Sequence, residues 1–236
     1  MHMHLERDIE AIHQRLLQMS GTVEQMIDKA TRALINRTPE LAFEVIDCDE
    51  EVNKTEVEIE EECLKILALH QPVAGDLRRI STLIKVNASL ERIADLACNI
   101  AERSQQMQEH PYFPSPEGME TMVRLATEMV RLSLDSFVRS DSELALKVIQ
   151  TDHQLDELNR VVIAELLGLM QQDTHLVEPA LHCFSATRHI ERIGDQAENI
   201  AEDVIYLIDG DIIRHKHEDL GVQMPDTHLS QDTYEM

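Results

Sequence analysis

A twelve-residue stretch, Glu91-Arg92-Ile93-Ala94-Asp95-Leu96-Ala97-Cys98-Asn99-Ile100-Ala101-Glu102, returns 100 residues later as Glu191-Arg192-Ile193-Gly194-Asp195-Gln196-Ala197-Glu198-Asn199-Ile200-Ala201-Glu202, with nine of the twelve positions identical. In a chain of 236 residues that displacement leaves room for one unit doubled, so any reading of one copy has to hold for the other. Each unit is then about 100 residues, long enough to bury a core.

The apolar pattern says what the unit is made of. Ile9, Ile12, Leu16, Met19, Val23, Met26, Ala30 and Ala33 recur in steps of three and four, the seam of a long helix in a bundle. Thr38-Pro39-Glu40 supplies an N-cap, a proline at the first helical position and an acid near the positive helix end, so a second helix is predicted from there. Its expected seam is Leu41, Val45, Cys48, Val52, Thr55, Ile59, Cys63 and Ile66, ending before Pro72. A third helix runs to about Met107. After the proline-rich linker Glu109 to Pro116, Ser115-Pro116-Glu117 is expected to open helix four, with a seam at Met122, Leu125, Met129, Leu132 and Ser136. Ser140-Asp141-Ser142-Glu143 reads as a capping box for helix five, and helix six carries the second copy of the repeat and stops at Gly210. No stretch alternates with period two. The expected class is therefore all-α: two tandem three-helix bundles, six long helices in all, over residues 1–110 and 115–210, followed by a flexible polar tail at 211–236. His215-Lys216-His217 in that tail reads first as solvated and second as a metal-binding tract.

Charge narrows the function. With 21 Lys plus Arg against 45 Asp plus Glu, a net charge of −24 repels phosphate backbones and anionic lipid, which argues against nucleic acid as a partner and against membrane insertion. The longest apolar run, Val161 to Met170, is broken by Glu165 and is too short for a bilayer. Four cysteines without a Cys-x-x-Cys pair fit a reduced cytoplasm, and the acidic N-terminus offers no signal peptide. There is no Gly-rich phosphate loop and no nucleophile elbow, so no enzymatic activity is expected.

On a helix Glu91 and Asp95 share one face, with Glu102 three turns along, and Glu191, Asp195 and Glu202 repeat the stripe. One such stripe is more often a solvated face than a site, but recurrence in number and phase favours a task. Asp49-x-x-x-Asn53 has its counterpart in Asp152-x-x-x-Asp156. Folding each unit into an antiparallel hairpin about Pro72, or about Asp173 and Thr174, brings Asp49 and Asn53 level with Glu91 and Asp95, and Asp152 and Asp156 level with Glu191 and Asp195. Clustered carboxylates repel, and hard cations relieve them. Oxygen-only ligation favours magnesium, calcium, manganese or iron over zinc or copper. Asn53, a neutral amide where the second unit has Asp156, predicts a weaker first site.

His70-Gln71-Pro72-Val73-Ala74-Gly75-Asp76-Leu77-Arg78, together with the two Glu-Arg-Ile-x-Asp segments and their Asn-Ile-Ala-Glu continuation, resembles the PhoU family. The resemblance implies paired three-helix bundles with surface clusters of divalent or trivalent metal ions, iron, manganese or magnesium. By position these would be held by Asp49, Asn53, Glu91 and Asp95 in one half and Asp152, Asp156, Glu191 and Asp195 in the other. It implies a cytoplasmic homodimer that restrains the phosphate-starvation response by joining the ATPase subunit of a phosphate ABC transporter to the cytoplasmic region of a sensor histidine kinase. Two alternatives remain at this point. One is a metal-free structural bundle. The other is a metal store or di-iron carboxylate enzyme, which would use Glu-x-x-His on two helices, whereas Glu10-Ala11-Ile12-His13 stands alone.

Overall fold

A computed structural model of the chain describes residues 2–210; the tail at 211–236 lies outside the described residues. Six long helices carry the fold: α1 (His2–Asn36), α2 (Pro39–His70), α3 (Ala74–Gln106), α4 (Met119–Arg139), α5 (Ser142–Gln172) and α6 (Val177–Asp209). Short 3-10 turns at Met107–Glu109 and Thr174–Leu176 flank the linker and α6, and no strand occurs among the described residues.

The first three helices pack on one another as one bundle, and the last three as a second. The bundles are joined chiefly by α3 against α6, with a smaller contact of α1 on α4, and the buried apolar side chains form one continuous core. Burial follows position. The outer helix α2 buries one narrow face, Ala42, Val45, Val52, Ile59, Cys63 and Ile66, whereas the central α3 buries fourteen residues around much of its circumference. Small side chains such as Thr82, Ser89, Ala94, Ala97 and Ala101 allow α3 that second contact face without excess volume. Lys85 on α3 reaches Asp203 on α6 at 2.9 Å and lies over the Tyr206 ring, an ion pair that spans the two halves.

The seam of α1 is buried at all eight expected positions. The seam of α2 is buried at Val45, Val52, Ile59, Cys63 and Ile66 but differs at Leu41, Cys48 and Thr55, which are half-buried; the line that ends at Cys63 starts at Ala42, one residue later than Leu41. Leu125 in α4 is likewise half-buried, with Ala126 taking the core position.

The caps differ from expectation in detail. Thr38 precedes Pro39 as expected, but its hydroxyl makes no capping bond. Ser115-Pro116-Glu117 forms a turn ahead of the helix, and α4 begins at Met119, whose N–H donates to the Pro116 carbonyl at 3.2 Å. The cap of α5 is Asp141, which accepts from the Glu143 and Leu144 N–H groups, while Ser140 takes the left-handed position that closes α4. A charged carboxylate, one residue later, therefore does the work assigned to Ser140 in the capping box. Gly210 closes α6 at φ 81°, the left-handed conformation that favours glycine.

Candidate functional site

In α2, Ala42, Asp49, Glu56 and Cys63 recur every seventh residue beside Val45, Val52, Ile59 and Ile66; in α5, Ala145, Asp152, Asn159 and Leu166 recur beside Val148, Leu155 and Val162. A seven-residue repeat keeps one stripe against a neighbouring helix. Two polar residues in each outer helix therefore stand in the line that faces the bundle, where apolar side chains would otherwise sit.

In the first half, Asp49 and Asn53 come from α2, and Glu91 and Asp95 from α3. The Asn53 Nδ2 donates to Asp49 Oδ2 at 2.9 Å, and the Cys98 thiol lies 3.5 Å from Asp49 Oδ1, so Asp49 bridges the two helices. Burial, then the charges of Asp95, Glu56 and Asp49, raise Glu91 above the ordinary carboxylate range. Asp95 is raised by burial and by Asp49. Cys98 is pushed up to about 12 by burial and by Asp49, so at neutral pH it is a neutral thiol.

The second half is more acidic and deeper. Asp152, 8 % exposed, is pushed up to about 7 by burial and by Asp156, Asp195 and Glu191. Burial and Asp195 raise Glu191 against the opposing Arg188, which donates to its Oε1 at 2.9 Å. Asp195 is raised by burial and by Asp156. Glu198, also on α6, is pushed up to about 8 by burial and by Asp152, Glu202, Asp195 and Asp156. Gly194 helps to set this depth: a Cβ there would meet Leu155 Cδ2 at 2.2 Å and Asp152 Oδ1 at 3.5 Å, so its absence lets α5 and its acid close on α6.

The structure thus gathers the eight sequence-selected residues into two clusters, four and four. Two further acids join them. Glu56 lies in the facing line of α2, and Glu198 follows Glu191 by seven residues and Asp195 by three. A search for Glu-x-x-x-Asp alone passes over both, whereas the seven-residue spacing from Asp49 and from Glu191 finds them. The far end of the stripe is not equivalent in the two halves, with Glu102 exposed and Glu202 buried. The surface placement expected of the acids also needs correction: of the eight residues only Asp95 is exposed, Asp152 is buried and the rest are half-buried. His13, from the isolated Glu-x-x-His, lies tilted by 44° against Phe137 with ring centroids 5.2 Å apart and belongs to neither cluster.

Two orphaned oxygens test whether a cation suits these residues. With Asn53 Nδ2 engaged, its Oδ1 is buried with no donor among the described residues, and Glu191 Oε2 is in the same condition. Buried acceptors of that kind are costly unless something positive meets them. Together with carboxylates held above their ordinary range by one another, they suit a hard cation with oxygen ligands.

A sequence profile of the PhoU domain matches residues 16–104 and again 119–204, once on each bundle. The chain belongs to the PhoU family. It is 40% identical over 215 residues to the phosphate-specific transport system accessory protein PhoU homolog of Aquifex aeolicus, covering 91% of this chain and 97% of that one. The Escherichia coli PhoU is 33% identical over 208 residues, 88% of this chain and 86% of its own. Among solved structures, PhoU from Pseudomonas aeruginosa superposes with a TM-score of 0.84 at 39% identity, covering 87% of this chain and 99% of that chain. The phosphate transport system regulatory protein PhoU from Streptococcus pneumoniae gives 0.82 at 26% identity, with 88% and 98% covered. The PhoU domain appearing twice accounts for the internal repeat, and the acidic clusters lie at the same place in each copy.

Proposed function

We propose that this chain is a cytoplasmic accessory protein of phosphate-specific transport that restrains the phosphate-starvation response by docking. The observation that carries the reading is similarity along nearly the whole chain to proteins named for that transport system. In this reading a homodimer engages the ATPase subunit of a phosphate ABC transporter and the cytoplasmic region of a sensor histidine kinase. Among the described residues no helix is long and apolar enough to cross a membrane, in keeping with a protein that meets membrane complexes from the side. Asp49, Asn53, Glu91 and Asp95, and in the other half Asp152, Asp156, Glu191 and Asp195, hold iron, manganese or magnesium, whose charge relieves the crowded carboxylates and fixes each outer helix to its central partner.

The net charge of −24 favours basic partner faces and makes encounter faster at low salt. Surface plasmon resonance of the full chain on the transporter ATPase or the kinase cytoplasmic region, across an ionic-strength series, should show an association rate that falls as salt rises. In parallel, a strain lacking the gene should express phosphate-starvation genes in high phosphate. If neither partner binds and those genes stay repressed, the docking reading fails. For the metal, Glu91→Ala with Asp95→Ala, and Glu191→Ala with Asp195→Ala, should each remove the share of metal belonging to one half; unchanged stoichiometry in both would count against the clusters as ligands.

A further inference from the structure

Outside the acidic clusters, three ligand-bearing side chains converge where the linker between the repeats meets the start of α6. His110, Glu178 and His182 place one ligand atom each within 4.8 Å of the other two. Glu178 and His182 are four apart in the opening turns of α6 and so share a face. His110 comes from the far side of the linker and is held there by its backbone. Its N–H donates to the Met107 carbonyl at 3.1 Å, and Arg37 donates Nη1 to the His110 carbonyl and Nη2, at 2.6 Å, to that of Phe113. Phe113 is buried, so the loop is anchored on both sides of His110. The two imidazole rings lie 6.4 Å apart between centroids.

We propose that His110, Glu178 and His182 form a third, chemically different metal site that takes zinc, with water completing the tetrahedron. Two imidazoles and a carboxylate are the donor set of a borderline divalent ion, in contrast to the oxygen-only clusters. A tetrahedron with bonds of about 2.0–2.1 Å has edges of about 3.4 Å, so the three side chains need only close inward by rotation. Besides the three ligands, the charged groups that act on His182 are Arg103 and Glu109. The bound ion would clasp the inter-repeat linker to α6 and tie the junction of the two bundles.

The test uses the full chain stripped with a chelator and titrated with cobalt(II) as the optical probe, then with zinc in competition. The wild type should show the visible d–d absorption of a four- or five-coordinate ion, reversed by one equivalent of zinc. His182→Ala and Glu178→Gln should each weaken zinc at least about tenfold and lose the absorption, since one of three protein ligands is gone. Glu178 is exposed, so that variant remains informative even if His182→Ala folds poorly. Replacing His215, His217 and His228 together by Ala, or Asp95 and Asp195 by Asn, should leave the signal in place. The proposal is overturned if the wild type shows no such absorption, if Glu178→Gln retains it at full zinc affinity, or if the tail variant abolishes it.

Discussion

Asn53 and Asp156 occupy equivalent positions of α2 and α5, and three residues on the exchange is reversed, Glu56 standing in the first repeat where the second has Asn159. The amide at Asn53 therefore leaves the first half with no fewer acids from its outer helix than the second. The deficit lies on the central helices, where the first repeat has Cys98 in the position of Glu198, and burial with Asp49 keeps that thiol protonated. Counted by carboxyl groups, the first cluster has Asp49, Glu56, Glu91 and Asp95 and the second has Asp152, Asp156, Glu191, Asp195 and Glu198, four against five. The first cluster should still bind a hard cation more weakly, but because of Cys98. Cys98→Glu, made in a chain whose second cluster is disabled by Asp152→Asn and Asp195→Asn, should tighten manganese binding by about tenfold, because hard-cation affinity rises with the number of carboxylate ligands. Titration calorimetry reads this directly, and an unchanged or weaker affinity would show that the thiol position lies outside the ligand sphere.

At the scale of the helix, a carboxylate placed in a packing line makes stability depend on pH. Asp152 and Glu198 titrate at about 7 and about 8 in the folded chain against ordinary values of 3.8 and 4.5, so the folded state holds these protons more tightly than the unfolded one. Their contribution is complete below about pH 4 and is lost as pH rises through about 7 to 8. His13, His182 and His189, each lowered mainly by burial, act in the opposite sense, but only below about pH 6.5. Chelator-treated protein should therefore melt at a lower temperature at pH 8.5 than at pH 7, and Asp152→Asn should raise the melting temperature at pH 8.5 and flatten the difference. A variant as pH-sensitive as the wild type would show that Asp152 is not the group responsible. The same placement explains what could be read in advance. The seam of α1, apolar throughout, was legible residue by residue, and so was the meeting of Asp49 with Glu91 across the hairpin. The second line of α2 was not, because Asp49 and Glu56 interrupt it and a search for apolar spacing shifts to Leu41, Cys48 and Thr55. The start of α4 was obscured in a related way: Ser-Pro-Glu has the chemistry of a helix opening, yet here the Glu165 carboxylate takes the Glu117 N–H at 3.1 Å and holds the segment as a turn.

Over the whole molecule, the doubled sequence suggests two units able to stand apart, while the packing joins them. The contact of α3 with α6 is as extensive as that of α5 with α6 inside one repeat, and the core runs through both bundles without a break. Separating the halves would expose a face of both central helices, at roughly 25 cal/mol for each Å² of apolar surface returned to water. At that rate a few hundred Å² would already match the stability of an ordinary domain, about 5–15 kcal/mol. The two repeats should accordingly unfold together. Differential scanning calorimetry of the chelator-treated chain should give one transition whose calorimetric and van't Hoff enthalpies agree. Lys85→Met provides a sharper form of the experiment, because it removes the cation that meets the nearly buried Asp203 across the interface while keeping the aliphatic stem that covers Tyr206. Leaving that carboxylate without its lysine should cost about 1–3 kcal/mol, less than for a fully enclosed pair because Lys85 is itself 38% exposed. If the halves are one cooperative unit, the single transition moves down as a whole. Two resolved transitions, in the wild type or in the variant, would show that each repeat folds for itself and that the α3–α6 contact is a docking of finished parts.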